Sequence, residues 1–147
     1  MPCDVFVTEA TFALPVFRHP DARAEIARLL KSVALFPERT HLVGAYALGK
    51  AQRVIALLRE AGYDRTIYIH GAMEKLCALY EAFGVKLGPL APATMKAPNK
   101  GSTEKFAGEI VIAPPSALQD RWSRRFPDPV GAFASGWMRV RARARQR

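Results

Sequence analysis

Two strand–glycine–helix units in tandem constrain this chain more than any other feature. His41-Leu42-Val43-Gly44-Ala45 is a short apolar run, and Gly49 turns it into a helix. In that helix Ala51, Val54, Leu57, Leu58 and Ala61 fall on one face, and Gly62 closes it. Thr66-Ile67-Tyr68-Ile69 begins the second unit, and His70-Gly71 makes its turn. Met73, Leu76, Cys77, Tyr80 and Phe83 form the stripe of the next helix, which Gly84 ends. Strands that are apolar throughout are strands covered on both faces, as in a parallel sheet. The pattern specifies an α/β fold: a mainly parallel, Rossmann-like sheet flanked by helices and joined by right-handed crossovers.

The rest of the chain extends this plan. Val5-Phe6-Val7-Thr8 is expected as a buried strand ending near Glu9. Pro20 and Asp21 open a helix with Ala22, Ile26, Leu29, Leu30 and Val33 on one side, and Pro37 ends it. Residues 91–108 hold Pro92, Pro98, Gly101 and three lysines, Lys96, Lys100 and Lys105, and are expected as a flexible, solvated loop. Glu109-Ile110-Val111-Ile112-Ala113 is a further strand, stopped by Pro114-Pro115. Ser116 and Gln119 suggest a capping box for a short helix carrying Leu118 and Trp122. Phe133-Ala134-Ser135 is expected as a last strand ending at Gly136. A length of 147 residues suits one domain, residues 1–147, with its own core.

Charge narrows the class of partner. The net charge is +9 and the pI about 10.1, in a chain that is 50% hydrophobic and therefore able to fold. Such an excess favours an anionic partner, most commonly nucleic acid. The alternative is a basic surface with no partner, or a piece whose acidic half lies elsewhere. Five arginines alternate from Arg139 to Arg147. On a strand they share one face; on a helix they split into Arg139/Arg143/Arg147 and Arg141/Arg145. Either they contact phosphates or they form a solvated face. Cys3 and Cys77 have no metal-ligand spacing and no disulfide framework, which points to a reducing cytoplasm. No apolar stretch has the length of a membrane span.

Gly44 to Ala51 reads G-A-Y-A-L-G-K-A, one hydroxyl short of a phosphate-binding P-loop. Ala51 stands where Ser or Thr would hold magnesium, and no strand ends in the aspartate that would share that ion. His19, His41 and His70 stand singly, without metal-ligand spacing. His70 follows a strand, where a turn or capping role is commonest. No nucleophile elbow is present. Glu9 is the acidic candidate, since it would end a buried strand at the same sheet edge as the turn before Lys50.

Two motifs then combine. Thr8-Glu9-Ala10-Thr11-Phe12, followed by Val43-Gly-Ala-Tyr-Ala-Leu-Gly-Lys-Ala-Gln52, resembles the β-CASP family of metallo-β-lactamase-fold nucleases. That family shows E-S-T-Y/F-G and later F-A-L-G-R-A-Q, and then a short strand ending A-S-x-G-M, which Phe133-Ala-Ser-Gly-Trp-Met138 resembles. Residues 8–17, 35–59 and 113–146 are similar to the bacterial ligase-associated DNA exonucleases. The resemblance implies a β-CASP domain that roofs a nuclease cleft and binds DNA or RNA. The two divalent metals, usually zinc, would sit in a separate metallo-β-lactamase domain, and a DNA ligase would be a partner. Glu9 would orient the catalytic histidines from behind. Lys50, Gln52 and Ser135 would lie near the cleft, with Arg139 and Arg143 adding phosphate contacts. Ala10 replaces the usual Ser, Ala13 the usual Gly, and Lys50 the commoner Arg, which keeps the charge without the bidentate fork. No H-x-H-x-D-H motif occurs, so the chain is expected to be part of a larger nuclease, to bind no catalytic metal and to be inactive alone. A phosphate- or nucleotide-binding module, or a protein-interaction module, is the other class of reading.

Overall fold

A computed structural model describes residues 3–10, 21–94 and 104–136. The sequence expectations for residues 11–20, Lys96, Lys100, Trp137, Met138 and the arginine run with Arg139 and Arg143 lie outside the described residues. The elements are α1 (Ala22–Leu35), β1 (His41–Gly44), α2 (Lys50–Glu60), β2 (Ile67–Ile69), α3 (Gly71–Ala82), β3 (Leu90–Pro92), β4 (Ile110–Ala113) and β5 (Val130–Phe133). Single 3-10 turns sit at Glu104–Phe106, Pro115–Leu118 and Ser123–Arg125. The five strands form one sheet in the order β3-β2-β4-β1-β5, and every pairing is parallel. The α/β class read from the sequence is the class observed.

The strand order distributes the connections between the two faces. From β1 the chain moves toward β3, and right-handed crossovers put α2 and α3 on one face with α1 beside them. It then returns through β4 to β5, so the later connections cross the other face. Strand residues sort accordingly. Val43, Ile67, Ile69, Ile110 and Ile112 enter the core under the helices. Leu42 and Val111 face the other way and pack with Phe106 and Phe126, bordered by Tyr68, Leu118 and Trp122.

Local chemistry sets the ends. Asp21 caps α1 by accepting from the Arg23 amide at 3.0 Å. His70 caps α3, with Nδ1 accepting from the Ala72 amide at 3.1 Å, as the capping reading of this residue expected. Arg59, near the end of α2, ties the turns before β2 and β3 together. Its guanidinium donates to the carbonyls of Leu87 and Pro89, each at 2.8 Å, of Arg65 at 2.7 Å, and of Tyr63. Gly88 has φ +69, and a Cβ there would meet Arg59 Nε at 2.6 Å, so the clamp and the glycine require each other.

Several expectations are corrected. Val5, Phe6 and Val7 form no strand; they are 79%, 80% and 89% exposed, because β3 and β5 hold the sheet edges and this run pairs with neither. Residues 91–108 are not simply a loop. The end of β3 lies in them, and Phe106 is buried, with its carbonyl accepting from the Thr40 hydroxyl at 2.8 Å. Residues 95–103 of that stretch are outside the described part. The capping box at Ser116 does not form: the helix is one 3-10 turn beginning at Pro115, without a side-chain cap. The last strand begins earlier than expected, at Val130, and ends at Phe133. Ala61 and Phe83 are exposed, since α2 and α3 are longer than the strands they cover and overhang them. Cys3 and Cys77 are both free thiols. Among the described residues, no helix is long and apolar enough to cross a membrane.

Candidate nucleic-acid interface

All five strands end at one edge of the sheet, and there β1 and β4 lie side by side. The chain leaving β1 enters α2 on the helix face, while the chain leaving β4 enters the Pro115–Leu118 turn on the opposite face. Open α/β sheets place ligands at such a divergence, outside the carboxyl ends of the strands. Backbone hydrogen bonds continue the ladder past the strand ends. Ala45 N–H donates to Ala113 O at 2.9 Å, His70 N–H to Ile112 O at 2.9 Å and Ala134 N–H to Gly44 O at 2.8 Å.

The turn after β1 explains both glycines of the near P-loop. A Cβ on Gly44 would stand 2.8 Å from Phe133 Cδ1 and 3.2 Å from Leu118 Cδ2, so this glycine lets the β5 side of the sheet close over β1. Gly49 has φ +77, a conformation that glycine adopts without strain. Two of the amides a phosphate would need are already used: Lys50 N–H donates to Leu48 O at 2.9 Å and Ala51 N–H to Tyr46 O at 3.0 Å. Ala51 is fully buried, so a small residue there lets helix and sheet approach. Tyr46 and Leu48 project outward, 64% and 65% exposed.

The candidate residues separate on this edge. Lys50 is half-buried at the start of α2, and Ser135 follows the Ala134 that bonds to Gly44, so the two belong to neighbouring loops. Gln52 cannot reach a phosphate from where it lies. It is 1% exposed, and its Nε2 donates to Ala47 O at 2.9 Å and to Cys77 Sγ at 3.5 Å. Gln52 braces the turn from beneath. Burial pushes the Cys77 thiol above its ordinary value, in keeping with a small core side chain. Glu9 lies in an exposed segment without regular structure rather than at the end of a buried strand. Among the described residues no three His, Cys, Asp or Glu side chains converge as metal ligands.

Sequence reasoning overlooked Arg121, Arg124 and Arg125. All three are exposed, and none has an acidic partner among the described residues. Their signal was the spacing of Trp122 and Phe126, which turns these two rings inward and leaves the arginines outside.

Over 140 aligned residues, 91% of this chain, the sequence is 26% identical to a protein of Opitutus terrae described as "Probable DNA ligase". The match takes up 12% of that protein, so the chain spans about an eighth of the relative it matches. No family model matches the chain, and no solved structure matches it.

Proposed function

We propose that this chain is a DNA-binding part of a DNA-processing enzyme: a β-CASP-like domain that roofs the cleft of a metal-dependent nuclease working with a DNA ligase. The observation that carries the DNA reading is the similarity, along 91% of the chain, to a protein described as a DNA ligase. The net charge of +9 and the parallel sheet with its divergent carboxyl edge support it. The finer nuclease reading rests on the E-A-T-F and A-L-G-K-A-Q motifs and their order. In this reading Lys50 and Ser135 border the cleft, and Glu9 serves a separate metal domain, where the two divalent metals would be held. Fluorescence anisotropy with labelled DNA tests the DNA reading. Binding at low salt that falls steeply with added salt is expected, and no binding at low salt overturns it. The nuclease reading is tested on the flanking codons: an H-x-H-x-D-H motif upstream and histidine motifs downstream are expected, and their absence sinks it. The closed amides of Lys50 and Ala51 weigh against an autonomous nucleotide-binding module. Calorimetry with magnesium ATP checks this, because heat lost in Lys50→Ala would restore that reading.

A further inference from the structure

The face of the sheet opposite the helices carries a second arrangement that the cleft reading does not use. The segment Arg121-Trp122-Ser123-Arg124-Arg125-Phe126 is pinned by its rings. Trp122 meets Phe126 edge-on at 4.8 Å and His70 at 4.9 Å, and Phe126 meets Phe106 at 5.0 Å. The Ser123 hydroxyl donates to Asp120 O at 2.8 Å, fixing the turn further. The three guanidiniums therefore project from a braced surface instead of a free loop.

Next to them is a notch of about 210 Å³. Its wall includes Leu42, Leu118 and Phe133, with Gln119 and Ser123 as polar members. Ser123, which lines the notch, lies between Arg121 and Arg124 in the chain, so the notch borders the arginine segment. Phe133 is 40% exposed, and Gly131 leaves the space beside it open. Unpaired guanidiniums beside a partly exposed ring and an apolar notch match the needs of a single strand. Its phosphates require positive charge, and its unstacked bases require a flat apolar contact. A duplex offers the phosphates without the free base.

We infer that this surface docks single-stranded DNA, with the backbone on Arg121, Arg124 and Arg125 and one base lodged in the notch against Phe133. The inference rests on the DNA reading above and adds a strand-selective site on the aromatic face.

The test uses the 147-residue chain and a fluorescein-labelled thymidine oligonucleotide of about 20 residues, read by anisotropy across a salt series. The triple variant R121A/R124A/R125A is expected to bind at least about tenfold more weakly, with the salt slope reduced by roughly 2, since each single-strand phosphate contact contributes about 0.7. Phe133→Leu keeps an apolar side chain in the notch but removes the ring. It is expected to weaken binding about fivefold or more with the slope unchanged. Lys75→Ala with Lys86→Ala, exposed on the helix side, is the control and should bind as the parent does. A parent chain that binds DNA while the triple variant and Phe133→Leu bind equally well overturns this inference and leaves the DNA reading standing. A parent that binds no DNA overturns both. Equal competition by a blunt duplex, or loss of binding in the lysine control alone, also overturns the single-strand site.

Discussion

The two faces of the sheet solve the same packing problem differently. Among the described residues, sixteen buried side chains form the core under the helices, most of them aliphatic. On the opposite face the buried cluster has five of the described residues, and edge-to-face rings between short 3-10 turns close the layer. A deep aliphatic core shares the loss of one side chain among many neighbours. A thin aromatic layer concentrates its stability in single residues and leaves charged side chains around its rim, and it is there that the unpaired arginines collect.

The largest expected effect tests this contrast directly. Phe106→Ala removes ring contacts to both Tyr68 and Phe126 and should cost about 4 kcal/mol, against about 3 kcal/mol for Ile55→Ala in the helix-side core. Urea unfolding of both variants decides it: an Ile55 loss equal to or larger than the Phe106 loss breaks the contrast. Next comes Arg59→Ala, which strips donors from several backbone carbonyls and should cost about 2 kcal/mol. Arg59→Lys should recover little of that, because one ammonium cannot reproduce the fork. Full stability in either variant would show that the helix side does not depend on the clamp.

Gly44→Ala is smaller, about 1 kcal/mol, since the Phe133 ring it strikes is partly exposed and can turn aside. A loss as great as that of Phe106→Ala would mean that the aromatic face cannot relax at this edge. The smallest effect concerns His41, buried on the helix side with Nε2 3.0 Å from the Ser32 hydroxyl. Burial holds its pKa below the ordinary 6.5, so the unfolded chain takes up the proton first. The contribution is present above about pH 6.5 and is lost as the pH falls toward the lowered folded value. The urea midpoint should fall between about pH 7.5 and pH 5, and less so in His41→Gln. An unchanged pH response in that variant would exclude His41 as the source.

What could be read in the sequence follows the same division. The units β1–α2 and β2–α3 were legible because helical periodicity and terminal glycines act locally. The aromatic face was not, because Phe106 stands among lysines and prolines and meets rings twenty residues and more away, Phe126 and Tyr68. Val5, Phe6 and Val7 misled for the converse reason: apolar composition makes a strand only where an edge is open to pair with it. At the candidate site the turn at Gly49 and the helix start at Lys50 were legible, because a glycine break and the periodicity after it act locally. Gln52 was misread because a polar side chain suggests solvent, although it lies three residues before Ile55 on the buried stripe of α2. Arg121, Arg124 and Arg125 were passed over in favour of the more conspicuous terminal arginines.

The ladder bonds that continue beyond the strand ends have a consequence for any partner that meets this edge. With Ala45, His70 and Ala134 already anchored to the sheet, the first residue of each of these loops is fixed before encounter. Binding there surrenders little backbone entropy, so affinity can come from modest contacts. The amide protons of these three residues should exchange slowly with deuterium in the free chain, as those of the sheet interior do.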